Sequence, residues 1–198
     1  MASDDLGPWD PLAAGDLAAL LDGVGTDWWL MGGVALDRFV GRETRAHDDV
    51  DVEIPRAGLA AVLAHLDGWE AHTAHDGVLT RLTEAVGQPP EANGVWWRAS
   101  VGGPWRFDLK LATVDGDAWV YRRHPAIRRP VASVRWTDGD GVPVIAPEVQ
   151  LLFKARADRP KDTADAEVVV PLLAPEARAW LVDAVRRAHP GSPWLAWL

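Results

Sequence analysis

Asp49 and Asp51 are the side chains of this sequence whose type and spacing best suit chemistry. From Asp49 to Ile54 the residues alternate, with Asp49, Asp51 and Glu53 on one face of a strand and Val50, Val52 and Ile54 on the other. Carboxylates that close raise each other's pKa unless a positive charge neutralises them, and Mg²⁺, a hard oxygen-seeking cation, does this well. A solvated strand face would give the same pattern. Arg106-Phe-Asp-Leu-Lys-Leu-Ala112 alternates in the same way, with Asp108 and Lys110 on one side. If that strand lies beside the first, Asp108 completes a three-carboxylate cluster able to hold two Mg²⁺ ions about 3.5–4 Å apart. Upstream, Gly32-Gly33 stands between a strand-like run and a helical one. Backbone N–H groups at such a turn and helix start form an anion site, although the same dipeptide also serves as a plain turn.

Other residues divide between a functional and a structural reading. His47 shares the Asp49 face if the strand begins early, as a partner of a metal-bound carboxylate, a phosphate contact or a packing residue. Asp48 falls on the opposite face and reads as a turn residue, while Glu53 lies deeper on the carboxylate face. Arg42 and Arg45 precede the acids and suit a triphosphate, since arginine matches phosphate oxygens bidentately. Arg45 could equally form an ion pair that orients Asp49 or Glu53. Lys154 and Lys161, with Asp162 and Asp165 nearby, read as a phosphate-reaching lysine beside acids that line an acceptor pocket, or as plain ion pairs. Arg122, Arg123, Arg128, Arg129 and Arg135 form the one concentrated basic segment; Pro125 and Pro130 break it, which favours an ion-paired surface over a nucleic-acid footprint. In pairs such as Trp28-Trp29 and Trp96-Trp97, one indole must leave the core and can stack on a base or sugar.

These residues need elements to position them. Asp10-Pro11 caps an amphipathic helix that ends near Gly23, Trp28 to Met31 is a strand, and Val34 to Phe39 is a helix stopped at Gly41. Asp49 to Ile54 is a strand closed by Pro55, and Leu59 to Leu66 a third helix. Gly77 to Thr83, Val95 to Ala99, Trp105 to Ala112 and Trp119 to Tyr121 are candidate strands, joined by turns at Gly87 to Gly94 and Gly102 to Pro104. Past Gly141 helices are expected over 147–157, 162–173 and 175–188. The expected division is an α/β domain over 1–143 and a C-terminal helical subdomain over 144–198.

Composition narrows the class. The chain has 198 residues, 20 basic and 29 acidic side chains, a formal charge of -9 and no cysteine. Disulfides, zinc thiolates, iron–sulfur clusters and thiol nucleophiles are thereby excluded. The acidic balance opposes non-specific attraction to nucleic acid and anionic lipid and favours a cationic partner, although the same balance is first of all a common solubility feature. The acidic start, Met1-Ala-Ser-Asp-Asp-Leu, has no signal-peptide pattern, and no apolar run reaches the roughly 20 residues of a membrane span, so a cytoplasmic location is expected. No Walker A, kinase or Gly-x-Gly-x-x-Gly pattern occurs.

The stretch from Trp28 to Asp51 resembles the signature of the polymerase-β-type nucleotidyltransferases. It is most similar to the small branch that includes aminoglycoside 2''-adenylyltransferases and lincosamide nucleotidyltransferases. Gly32, Gly33, Ala35, Asp37, Gly41, Thr44, Arg45, His47, Asp49 and Asp51 all match that branch's pattern, and Pro147 to Arg156, Pro160 to Asp165 and Pro193-Trp194 resemble its C-terminal part. The wider superfamily usually has Gly-Ser where this chain has Gly32-Gly33; the antibiotic branch commonly has Gly-Gly. The resemblance implies an α/β (α+β) fold, a mixed sheet flanked by helices with a small C-terminal helical part. It implies that Asp49, Asp51 and Asp108 bind two Mg²⁺ ions, with Asp108 also the general base. Gly32, Gly33, Arg45, His47, Lys154 and Lys161 would bind ATP or another NTP. The implied activity is transfer of a nucleoside monophosphate, AMP in the first instance, to a hydroxyl of an aminoglycoside- or lincosamide-like molecule. Two alternatives stay open: a protein or RNA acceptor, as in toxin–antitoxin pairs, and a non-catalytic ligand-binding domain of this fold.

Overall fold

The computed structural model describes residues 6–75, 77–82 and 92–198, which form ten strands and six α-helices. Two units pack within themselves: residues 1–30 with 47–112, and residues 31–46 with 113–198.

The first unit holds α1 (Ala14–Leu20), β1 (Trp29–Met31, its last residue in the second unit), β2 (Asp51–Pro55), α3 (Leu59–His65), β3 (Glu70–His75), β4 (Val78–Arg81), β5 (Gly94–Arg98) and most of β6 (Phe107–Asp115). Its strands lie in the order β4-β3-β5-β6-β2-β1. β2 and β6 run parallel, and β6–β5, β5–β3 and β3–β4 antiparallel, so the sheet is mixed. The side-chain period of two separates the faces. Val52, Ile54, Val95, Trp97, Phe107, Leu109 and Leu111 are buried, and Trp97 stacks on Phe107 with centroids 5.8 Å apart and planes within 4°. Burying each such ring stabilises the fold by about 1.5–3 kcal/mol. The opposite face carries Glu70, His72, Trp96, Arg98, Asp108, Lys110, Asp51 and Glu53, brought side by side by the register.

The second unit holds α2 (Gly32–Val40), the end of β6, β7 (Ala118–Val120), β8 (Arg128–Pro130), β9 (Arg135–Thr137), β10 (Pro143–Ile145), α4 (Pro147–Lys154), α5 (Pro160–Val169) and α6 (Pro175–Ala188). α4, α5 and α6 each start with proline in the first turn and an acid beside it. Proline loses nothing there because those N–H groups have no partner within the helix, and the acid meets the positive helix end. α2 packs against α4 and α5.

Several expected elements move. Asp10 caps no helix: α1 begins at Ala14, and residues 10–12 run along the start of β6, Asp10 N–H bonding Trp105 O at 3.0 Å and its carboxylate pairing with Arg106. Pro160 opens α5, which ends at Val169, and a 3₁₀ turn follows at Val170–Leu172. β3, β8, β9 and β10 were not expected. β3 escapes the periodicity test because its inward residues, Ala71 and Thr73, are small; Glu70, its buried acid, pairs with Arg98 at 2.6 Å. The strand expected over 77–83 is β4, with residue 83 and residues 87–91 of the following turn outside the described residues.

Candidate active site

In the first unit the site rests on the pairing of β2 with β6, where Asp51 and Asp108 are register partners. Parallel strands in register set both carboxylates on one face, side by side. The strand begins at Asp51 rather than Asp49, because ladder pairing starts there. Asp49 and half-buried His47 lie in the segment before it, and Asp49 is exposed. Val50 O still accepts from Asp108 N at 3.0 Å, which fixes the approach. Lys110 Nζ stands between the two carboxylates, 2.5 Å from Asp108 Oδ2 and 3.3 Å from Asp51 Oδ1. Trp96 Nε1 donates to the same Asp108 Oδ2 at 2.8 Å. Asp108 Oδ1 is buried with no hydrogen-bond partner. It faces β5 at Gly94, where a Cβ would stand 3.1 Å from it, so any side chain there would crowd the carboxylate. Glu53 is buried deeper and accepts from Trp29 Nε1 at 2.8 Å.

Burial pushes the Asp108 carboxyl above its ordinary range, and the Asp51 charge adds to this against the opposing pull of Lys110. Burial acts on Lys110 in the lowering direction, but the charges of Asp108 and Asp51 together outweigh it and hold the ammonium protonated.

Among the described residues, no group of three or more His, Cys, Asp or Glu side chains is gathered to hold a metal ion. The expected three-carboxylate cluster is present as two converging acids, with Asp49 ahead of the strand and a lysine between the pair. The donor set nonetheless fits a cation. Two carboxylates already share one positive charge, and Asp108 keeps a buried oxygen unpartnered.

The second unit carries the other expected residues. Gly32 begins α2 with φ +80°, a conformation that L side chains rarely adopt, and this explains glycine there. The expected Gly-Gly turn is thus the first turn of the helix itself. Gly32 N–H donates to Gln150 Oε1 at 2.9 Å. Asp37 accepts from Thr44 N at 3.1 Å and Thr44 Oγ1 at 2.5 Å, tying the loop after α2 to the helix. Arg45 meets Asp165 through two bonds, Nε–Oδ1 at 2.9 Å and Nη2–Oδ2 at 3.1 Å. Lys154 is buried between Asp162, at 3.1 Å, and Asp165, at 2.8 Å. Asp162 also accepts from Arg159 Nε at 2.7 Å. Lys161 is exposed in the first turn of α5, and Asp165 pairs with Arg45 and Lys154. Arg42 is exposed, reaching Glu43 O at 3.4 Å. The basic segment is ion-paired: Arg128 with Asp115, and Arg129 with Glu148 at 2.6 Å.

Solved structures match this architecture. ANT(2'')-Ia, an antibiotic-resistance factor known in solution, aligns with a TM-score of 0.58 at 19% identity over 87% of this chain and 88% of its own. The crystal structure of ANT(2'')-Ia in complex with adenylyl-2''-tobramycin gives 0.56 at 17% identity over 85% and 92%. The lincomycin-bound lincosamide antibiotic adenylyltransferase LnuA gives 0.56 at 17% identity over 83% and 100%. The chain has the nucleotidyltransferase fold. The family described as aminoglycoside-2''-adenylyltransferase matches residues 15–88, the stretch holding Gly32, Gly33, Arg45, His47, Asp49 and Asp51. The signature of that branch of the nucleotidyltransferases is therefore present in the chain. Comparison with curated protein sequences finds no match.

Within this nucleotidyltransferase fold, sequence reasoning missed two residues that touch Asp108. Lys110 was placed on the right face but given no role, and Trp96 was not separated from Trp97. The register decides both: Trp96 pairs with Asp108, and Gly94 with Lys110. The alternation of Asp108 and Lys110 was the one available signal.

Proposed function

We propose that the chain transfers a nucleoside monophosphate, AMP from ATP, to a hydroxyl of an aminoglycoside- or lincosamide-like small molecule and releases pyrophosphate. The observation that carries this reading is the in-register convergence of Asp51 and Asp108 on adjacent parallel strands around one positive charge.

Two Mg²⁺ ions, when bound by Asp49, Asp51 and Asp108, would supply Lewis acidity to the attacking hydroxyl and to the leaving oxygens. Asp108 orients the acceptor hydroxyl and takes its proton as the new oxygen–phosphorus bond forms and the bond to pyrophosphate breaks. Trp96 fixes the rotamer of that carboxylate by donating to Oδ2. Gly32 and Gly33 are proposed to meet the nucleotide phosphates through backbone N–H groups at the start of α2, and Arg45, His47, Lys154 and Lys161 to balance phosphate charge. The net charge of -9 suits a cationic acceptor. No helix among the described residues is long and apolar enough to cross a membrane; a cytoplasmic location and the domain division at 143/144 complete the proposal.

The test is pyrophosphate release with Mg²⁺ and each of the four nucleoside triphosphates, against a panel of aminoglycosides and lincosamides, with Asp108→Asn as control. Acceptor-dependent release that the variant loses is the expected result. Release equal in both proteins would sink the assignment. Release from neither would remove the antibiotic acceptor and direct the same assay to protein and RNA acceptors.

A further inference from the structure

The chain has three lysines, Lys110, Lys154 and Lys161. Lys110 leaves β6 two residues after Asp108 and places its ammonium between Asp108 Oδ2 and Asp51 Oδ1, at 2.5 and 3.3 Å. Those are oxygens of two of the three carboxylates assigned above to the metal. An ammonium bonded to both carboxylates and a divalent ion that the same carboxylates would hold compete for the same lone pairs, and the two cations repel. The stem of Lys110 can yield. Its side chain is 34% exposed, and a four-carbon chain turns outward at little cost.

We propose that Lys110 is a tethered counter-cation: it fills the metal position of the metal-free chain, holds Asp51 and Asp108 together there, and is displaced when a divalent ion binds, so that it sets the metal affinity of the site. This rests on the reading that Asp51 and Asp108 hold a divalent ion. Lys110 acts through those carboxylates as a positioning residue. Without it, two like charges would face each other across neighbouring strands, a repulsion that a metal-free chain must offset.

The experiment uses the full chain labelled with ¹⁵N-lysine. The Lys110 ammonium resonance is assigned by its loss in Lys110→Met. On titration with Mg²⁺ it should move while the Lys154 resonance stays in place. Calorimetry with Mn²⁺ should show Lys110→Met binding at least about tenfold tighter than the unmodified chain, because binding no longer expels a cation, while Lys110→Arg stays near the unmodified value. Metal binding that leaves the Lys110 resonance unmoved would overturn the proposal and leave the metal reading standing, as would equal affinity in a folded Lys110→Met. If Lys110→Met fails to fold, the titration of the unmodified chain decides, with the resonance assigned by Lys110→Arg. Absence of Mn²⁺ binding to both the unmodified chain and a folded variant would overturn the metal reading and this proposal together.

Discussion

Lys110 and Lys154 are both held between two aspartates, yet their surroundings differ in ways that set opposite roles. Lys154 is 7% exposed, its partners Asp162 and Asp165 are 0% and 3% exposed, and Arg45 and Arg159 complete the arrangement. Three cations meet two acids, every carboxylate oxygen has a donor, and the cluster joins α4, α5 and the loop after α2. Around Lys110, one ammonium meets two acids on neighbouring strands inside the sheet, the lysine side chain is 34% exposed, and Asp108 keeps an oxygen without a partner. The same lysine-between-aspartates motif is therefore a closed tie in one unit and a site short of positive charge in the other. Burial and charge count decide which.

The largest effect expected from this contrast lies at the open site. Asp51→Asn should slow nucleotidyl transfer by on the order of 10²- to 10³-fold while leaving the unfolding curve nearly unchanged, as read by steady-state kinetics and urea denaturation. A variant with full activity would remove the open site from the chemistry. Next comes the closed tie. Lys154→Met removes the cation shared by two buried carboxylates, which keep only Arg159 and Arg45, and should lower unfolding free energy by about 2 kcal/mol, whereas the half-exposed Lys110→Met should cost under about 1 kcal/mol. Equal losses in urea denaturation would erase the distinction.

The closed tie also has a pH signature. Burial acts on Asp162 and Asp165 in the raising direction, but hydrogen bonds from Lys154 with Arg159, and from Arg45 with Lys154, outweigh it and leave both below the ordinary carboxylate range. A depressed folded pKa gives stability that is present above the unfolded value, about 3.9, and lost as pH falls through the folded one. Acid titration followed by circular dichroism should show stability falling below about pH 4, and Asp165→Asn should flatten that fall. The smallest effect is expected from Trp96→Phe. Loss of one hydrogen bond to a charged oxygen predicts about a tenfold drop in kcat, with Asp108 still in place.

The candidate acids Asp51 and Asp108 were legible because a strand's period of two writes a carboxylate face into the sequence, whereas Gly32-Gly33 was legible only as a turn, and the structure showed Gly32 opening the helix at positive φ. Asp37 and Thr44 matched the branch pattern, but their hydrogen bonds to each other could be seen only once the loop closed. β3 was illegible for a local reason: Glu-Ala-His-Thr-Ala-His shows no apolar rhythm, and its hold on the sheet comes from Arg98 and its neighbour β5. Asp162 and Asp165 were read beside Lys161 by spacing along the helix. Their partners come from elsewhere in the chain, Arg45 among them 120 positions away from Asp165.

The sequence alone determined the face on which Asp51, Asp108 and Lys110 lie, the helices started by Pro147 and Pro175 and the branch signature from Gly32 to Asp51, since these depend on local periodicity and residue type. Only the tertiary structure decided that Lys110 stands between Asp51 and Asp108, that Trp96 rather than Trp97 meets the acid, and that Lys154 is locked while Lys110 is not. Those outcomes depend on which residues stand opposite one another across neighbouring strands and helices. That register is fixed by the packing of the whole sheet and the helix layer, and no local stretch of sequence carries it.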